Sequence, residues 1–527
     1  MRQVTLYDTT LRDGAQQGGI SFSVEDKLKI AGKLDELGIH YIEGGWPGSN
    51  PKDVEFFARA RDLDLSRSVL VAFGSTRRPN CAASADPNLV ALVDSGVRVV
   101  TVVGKSWDSQ VTRVLETTLE ENLAMIQDSI AFLKSRGLTV FFDAEHYFDG
   151  VKSNPEYALR TLQAADTAGA DCLVLCDTNG GSLPEEIADM VQSAAKQVKA
   201  PLGIHAHNDG ELAVANSLMA VVAGATQVQG TINGYGERCG NANLSSIIPA
   251  LELKMGISCL DPEHLAHLTE VSRYVSELAN LRPFPRQPYV GTAAFTHKAG
   301  LHVSGLDKWE DSYQHIDPRA VGNRTDVVIS ELSGISNIIY KAREKGLQVS
   351  RGEEARRLLE QVKLLESRGF QYEGAEASFE ILVKRAEPDY RAPFDLVDFM
   401  VVVESRRRPS SGGDEILAEA TVKVKVGDQM MHTASEGDGP VNALDCALRK
   451  ALVWFYPGLA KVKLVDYKVR ILDETAGTES QVRVLIESSD GEHQWRTVGS
   501  STNIIEASWL ALADGLEYWL LKQPPAS

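Results

Sequence analysis

The chain has 527 residues, 43% of them hydrophobic and 24% charged, with a formal net charge of −18. That length exceeds what one hydrophobic core serves, so about two to four domains are expected. The acidic balance argues against nucleic acid and anionic membranes as partners, and no run approaches the ~20 apolar residues of a membrane helix.

From the first residue to about 256, short β-branched runs alternate with amphipathic stretches. MRQVTLYDTTLRDG enters a strand pattern directly, with none of the regions of a signal peptide, so a cytoplasmic protein is expected. The strand-like runs are QVTLYD, HYIEGG, SVLVAFG, VRVVTVVG, TVFFDAE, CLVLCD, PLGIHAH and TQVQGTI. Between the first two, SVEDKLKIAGKLDELG has helical periodicity, with Ser23 placed to cap its start and Gly38 to end it. TTLEENLAMIQDSIAFLKSRG repeats Leu, Met and Ile at helical spacing. Eight strands alternating with helices over about 250 residues predict a closed (β/α)₈ barrel within a first domain, residues 1–275. An open doubly wound sheet lacks its usual mark here. Gly234-Tyr-Gly236-Glu-Arg-Cys-Gly240 has the wrong spacing for G-x-G-x-x-G and follows the eighth strand. The six cysteines, at 81, 172, 176, 239, 259 and 446, show no paired framework, which fits a reducing compartment. Cys172 and Cys176 fall in a buried-strand string, so packing rather than zinc binding is expected of them.

A barrel presents its active site at the carboxyl ends of its strands, and reactive side chains gather there. Arg12 and Asp13 follow strand 1, Glu43 ends strand 2 and Glu145 ends strand 5. Asp177 and Thr178 close strand 6, His205 and His207 end strand 7, and Glu237, Arg238, Asn241 and Asn243 follow strand 8. On a strand, His205-Ala-His207 would point both imidazoles to one side. Alone, H-x-H is more often a pair of polar strand-end histidines. Joined by Asp13 across the barrel and Asn241 from the neighbouring unit, it becomes a two-histidine, one-carboxylate set with open positions, suited to a divalent metal. Imidazole with oxygen ligands is compatible with Mn²⁺, Zn²⁺, Co²⁺ or Mg²⁺, and the sequence does not choose among them.

Beyond the barrel the alternation stops. Residues 276–385 contain the Pro-rich LRPFPRQPYVG, then THKAGLHVSGL and HIDPRAVGNRT, with histidines at 297, 302 and 315; they read as a linker region of helical subdomains. Residues 386–527 repeat themselves. Leu396-Val-Asp-Phe399 recurs as Leu464-Val-Asp-Tyr467 at an offset of 68, while Thr433 matches Thr497 and Ala443 matches Ala507 at an offset of 64. A longer first hairpin loop, SRRRPSSGGDE, accounts for the difference. Each copy is expected to be three strands followed by a helix, an α+β unit whose bland role is dimerisation. Pro440 in GDGPVNA stands where a helix start tolerates proline.

LYDTTLRDGAQ, HAHND and INGYGERCGNANL resemble the signatures of the 2-isopropylmalate, homocitrate and citramalate synthase group, and the resemblance spans essentially the whole chain. EGGWPGSNPKDVEFF, AFGSTRRPN, GKSWD, DAEHYFDG, CDTNGG and FQYEGAEASFE look most like the citramalate synthase branch. The resemblance implies a metal-dependent condensation of acetyl-CoA with pyruvate. It assigns Asp13, His205 and His207 as metal ligands, with Asn241 as ligand or near neighbour. Arg12 would stabilise charge developing on the reacting oxygens. Gln16, Glu43 and Thr178 would orient Arg12 or the keto acid. His302, with Tyr313 nearby and Glu145 assisting, would serve as the base that the weakly acidic acetyl methyl requires; His297, five residues away, is the competing choice. The resemblance also implies a homodimer whose C-terminal unit binds an end-product amino acid, isoleucine on the citramalate route. Beside a lyase running a related cleavage, against which the appended C-terminal sensor unit argues, two alternatives stand. The first is a 2-isopropylmalate synthase, since a methyl or two in a pocket discriminates by only ~1–3 kcal/mol. The second is a sensor with a dead barrel, against which the intact Arg12, Asp13, His205 and His207 argue.

Overall fold

Eight parallel strands close into a barrel in chain order: β1 (Thr5–Asp8), β2 (Tyr41–Gly45), β3 (Val69–Ser75), β4 (Val99–Lys105), β5 (Thr139–Glu145), β6 (Cys172–Asp177), β7 (Leu202–Ala206) and β8 (Gln227–Gly230). β8 returns to β1 with Gly230 opposite Asp8. The computed structural model describes residues 3–330, 333–347, 349, 352–407, 414–472 and 480–523. Each run read as a strand overlaps an observed one, with ends shifted by up to two residues, and one such shift matters at the site. β7 ends at Ala206, so His207 lies one residue past the strand, held by a bridge to Asn241.

Local chemistry explains the elements. Parallel strands covered on both faces are nearly continuous apolar runs, and all six residues of β6 are buried. The first helix, Val24–Leu37, opens with a capping box. The Ser23 hydroxyl accepts from the Asp26 amide at 3.1 Å, and the Asp26 carboxylate accepts from the Ser23 amide at 2.9 Å. It ends at Gly38, whose φ of 93° suits only glycine at low cost. The barrel interior is a packed plug of Tyr7, Tyr41, Val71, Val99, Phe141, Cys172, Val174 and Cys176. Burial pushes both cysteine thiols well up, and both are packed within this plug.

The chain packs as two units. One runs to Phe295 and includes Ile316–Thr325; the other comprises Thr296–His315 and the chain from Asp326 onward. The segment expected as a single linker, 276–385, is therefore divided between them. Residues 316–325 join the barrel unit because the Thr269 hydroxyl donates to the Val321 carbonyl at 2.6 Å, and the Asn323 amide donates to the Tyr289 and Gly291 carbonyls at 2.9 Å each.

In the second unit, β9 (Thr296–His297) and β10 (Asp326–Val327) form a short parallel pair, and the helix Gly300–Lys308 carries His302. Helices Ile335–Glu344, Glu353–Ser367 and Glu376–Arg385 pack around Ile338, Leu358 and Phe379. The duplication then appears as two antiparallel sheets. The first, β11 (Asp395–Arg407), β12 (Asp414–Val426) and β13 (Gln429–Gly437), precedes the helix Pro440–Val453. The second, β14 (Lys463–Ile471), β15 (Val482–Ser489) and β16 (Gln494–Ser501), precedes the helix Ile504–Lys522. The matched threonines make matched bonds: Thr433 Oγ1 donates to the Ala447 carbonyl at 2.8 Å, and Thr497 Oγ1 to the Ala511 carbonyl at 2.7 Å. Residues 408–413, within the long first hairpin loop, lie outside the described residues. Among the described residues, no helix is long and apolar enough to cross a membrane.

Candidate metal centre and its cavity

The loop after β1 is tied down by its own polar groups. Asp8 accepts from the Thr10 amide and hydroxyl, both at 2.9 Å, and the Thr10 hydroxyl accepts from the Ile232 amide at 2.9 Å, joining the β1 loop to the β8 loop. This sets Arg12 and Asp13 over the barrel mouth. Arg12 donates through Nε to Glu43 at 2.6 Å and through Nη1 to Asp13 at 3.2 Å, and its guanidinium lies 3.8 Å over the Phe73 ring. Glu43 is fully buried, and its other oxygen accepts from the Tyr7 hydroxyl at 2.6 Å. It clamps Arg12 from beneath and does not line the cavity.

Asp13, His205 and His207 bring one donor atom each within 4.8 Å of one another, and all three are buried. His205 Nε2 stands 3.4 Å from His207 Nε2 and 3.5 Å from Asp13 Oδ2. Burial holds both imidazoles below the usual histidine range, His207 at about 4, so both are neutral at physiological pH. Burial alone would raise Asp13, but the charge of Arg12 and the two histidines outweigh it and hold the carboxyl at about 2. A carboxylate facing two neutral ring nitrogens is the electronic state a divalent cation requires.

Asn241 completes the rim. Its amide nitrogen donates to the Tyr235 carbonyl at 3.1 Å, which leaves Oδ1 on the free side. Gly236 makes room for it: φ is 159°, and a Cβ there would stand 2.2 Å from Asn241 Nδ2. Asp13 Oδ1 and Asn241 Oδ1 are buried with no hydrogen-bond partner among the described residues. Buried acceptors are normally satisfied, and orphaned oxygens beside two neutral imidazoles fit a bound cation.

The centre opens into a cavity of about 460 Å³ lined by Arg12, Asp13, Gln16, Glu145, Thr178, His205 and His207, among others. Seven of the eleven residues singled out from sequence thus share one space. Glu43 and Asn241 stand behind it. His302 and Tyr313 belong to the second unit, where their rings stack at 4.2 Å, with His297 6.1 Å from His302. The Thr178 hydroxyl accepts from the His146 amide at 2.8 Å, and Glu145 is ion-paired with Lys105 at 2.5 Å, its register partner on β4. Lys105, Asp143 and Gln229 escaped the sequence reading. Asp143 had a usable signal, since it lies two residues before Glu145 and so on the same side of β5. Burial, reinforced by Glu43, pushes Asp143 up to about 8.

Residues 3–275 match the HMGL-like family model, residues 289–369 the homocitrate synthase post-HMGL domain-like model, and residues 373–520 the LeuA allosteric (dimerisation) domain. The chain is 55% identical to an (R)-citramalate synthase of Geobacter sulfurreducens, over 99% of this chain and 98% of that one. It is 53% identical to an (R)-citramalate synthase of Aquifex aeolicus over the same shares. Identity falls to 30% with a 2-isopropylmalate synthase of Methanocaldococcus jannaschii, over 99% of this chain and 95% of that one.

Proposed function

The chain belongs to the HMGL-like family and, within it, to the (R)-citramalate synthases, and from that premise we propose that it condenses acetyl-CoA with pyruvate and water to give (R)-citramalate and free CoA. The observation that carries this reading is near-full-length identity joined to one buried cluster, Asp13, His205 and His207, with a fixed guanidinium beside it. The gap between 55% identity to a citramalate synthase and 30% to a 2-isopropylmalate synthase favours pyruvate over a branched keto acid.

Asp13, His205 and His207 would hold a divalent cation, with Asn241 Oδ1 alongside. Once bound, that cation supplies Lewis-acid polarisation of a 2-keto acid's carbonyl. The remaining work belongs to side chains. A base removes a proton from the acetyl methyl, and the resulting carbanion forms a bond to the keto carbon of pyruvate. The keto oxygen gains the electron pair and then a proton, and water cleaves the thioester to release CoA as a thiol. Arg12 is a positive charge already held in place where negative charge develops on oxygen, so little reorganisation is needed at that moment. Thr178, its hydroxyl anchored on the His146 amide, can turn its proton toward the keto acid carboxylate. Gln16 faces the same cavity as an orienting amide. We assign the base to His302, with Tyr313 stacked on its ring and Glu145 assisting.

A homodimer regulated by isoleucine extends the proposal. The match to an allosteric dimerisation domain supports it, as do exposed apolar strand residues in both copies, Met400, Val403 and Met430 in the first and Val465, Val469 and Ile471 in the second. Cytoplasmic placement is supported by six free thiols. The test of function is thiol release from acetyl-CoA against a panel of 2-keto acids. Pyruvate should give the highest kcat/KM, and preference for 2-ketoisovalerate would move the chain to the isopropylmalate reaction.

A further inference from the structure

Behind His205 runs a chain of polar groups that crosses the barrel interior to Asp143, itself part of the cavity wall. His205 on β7 is the register partner of Gln229 on β8. His205 Nδ1 lies 3.0 Å from Gln229 Oε1, and Gln229 Nε2 donates to Asp143 Oδ1, across the barrel on β5, at 3.1 Å. Gln229 is completely buried and Asp143 nearly so. Three polar residues in the barrel interior therefore form one line, ending at a ring nitrogen that faces Asp13 and His207.

An amide has two ends of similar shape and opposite hydrogen-bonding sense. With its nitrogen end on Asp143, Gln229 turns its oxygen to His205. An oxygen there requires a proton on Nδ1, and a neutral imidazole with a proton on Nδ1 has a bare Nε2. With the amide reversed, an N–H would face Nδ1, the ring proton would move to Nε2, and that N–H would project into the centre in place of a lone pair.

We propose that Asp143 is a positioning residue for the metal centre: acting through Gln229, it fixes which nitrogen of His205 carries the proton. The inference rests on Asp13, His205 and His207 being a metal-binding set. Asp143 does this by geometry, its Oδ1 accepting the amide N–H from Gln229 at 3.1 Å, while burial, reinforced by Glu43, raises its carboxyl above the usual range.

The test uses full-length protein labelled with nitrogen-isotope histidine and stripped of metal. His205 is identified by the signal lost in His205→Ala, and Mn²⁺ affinity is measured by calorimetry. Wild-type protein should show the Nδ1–H tautomer at His205. Asp143→Leu should shift it toward Nε2–H and weaken Mn²⁺ binding about 10–100-fold, as expected for loss of a group that orients a ligand. Gln229→Leu, which removes the acceptor and leaves Asp143 in place, should weaken binding to a similar degree. Adding Gln229→Glu to Asp143→Leu presents an oxygen to His205 in either orientation. It should restore both the tautomer and the affinity, which repair of a purely structural defect would not do. Asp143→Leu with an unchanged tautomer and affinity would overturn the proposal, as would a double variant no better than the single one. If wild-type protein and His205→Ala bind Mn²⁺ alike, the metal set itself is wrong and the inference falls with it.

Discussion

Glu43→Gln isolates what the clamp under Arg12 is worth. Glu43 receives two donors, Arg12 Nε at 2.6 Å and the Tyr7 hydroxyl at 2.6 Å, while the Tyr7 hydroxyl also lies 2.8 Å from Thr101 Oγ1. A glutamine keeps one oxygen for Arg12 and turns its amide nitrogen to Tyr7, which can then accept from it and donate to Thr101. The second amide N–H and the Thr101 hydroxyl proton must find other acceptors, a smaller defect than a stranded cation. What is lost is the difference between a charged and a neutral hydrogen bond, about 1–2 kcal/mol. Asp13, 3.2 Å from the same guanidinium, keeps Arg12 charge-balanced. If that loss falls on the orientation of Arg12 in the transition state, kcat drops about 5–30-fold. Glu43→Ala is a different perturbation. It strands Tyr7 and one side of a buried cation, and breaking a buried pair costs about 3–5 kcal/mol.

A second consequence separates this account from simple destabilisation. Held less tightly by a neutral glutamine, Arg12 leans further onto Asp13 and competes for its oxygens, so Mn²⁺ affinity should weaken together with kcat. Steady-state thiol release and calorimetry on both variants read the two effects. A Glu43→Gln enzyme with wild-type kcat and wild-type Mn²⁺ affinity would refute the reasoning. So would Glu43→Gln and Glu43→Ala enzymes that are equally impaired.

Asp13→Asn should abolish condensation and metal binding together, and exhaustive chelation of wild-type protein should reproduce the loss; undiminished turnover after chelation would reject the metal reading. His302→Ala should lower kcat while leaving keto acid binding nearly intact, because a base acts on the acetyl methyl. His297, whose ring is held below the usual range by burial and by His302, is the control, and the opposite pattern would transfer the role to it. Isoleucine titrated against full-length protein should bind by calorimetry and slow turnover, with a coupling of about 1–3 kcal/mol; inhibition by leucine in its place would reject that effector.

The barrel, the duplicated C-terminal unit and the clustering of Asp13, His205 and His207 were legible because each leaves a local trace: strand–helix alternation, matched residues at a constant offset, reactive residues at strand ends. What escaped depends on closure of the barrel. Gln229 sits in TQVQGTI as an ordinary alternating strand residue, and its meaning appears only when β8 returns beside β7 and faces β5 across the interior. The division of 276–385 between two units has no periodicity to announce it, since single bonds such as Asn323 to the Gly291 carbonyl decide it. His207 looked like a strand residue because H-x-H suits one. The bridge to Asn241 ends β7 a residue sooner and brings the two together.

Three carboxyl groups share this small interior, and their environments drive them apart. Asp13 touches Arg12 and faces two imidazoles, and is held at about 2 despite its burial. Glu43 is more deeply buried; desolvation raises it while Arg12 and Tyr7 pull it back, so it remains a clamp more than an acid. Asp143 has only an amide for a direct partner, and rises to about 8. Carboxyl groups whose environments separate them in this way take different roles. As proposed, Asp13 would offer oxygens to a cation and Asp143 would orient the amide behind His205, while Glu43 fixes a guanidinium. The motif resemblance points to Asp13 and already pairs Glu43 with Arg12, but it says nothing of Asp143. Which donors the closed barrel brings to Glu43 and Asp143 decides their roles, so a substitution at Glu43, which does not line the cavity, should act through Arg12, and one at Asp143 should reach His205 through Gln229.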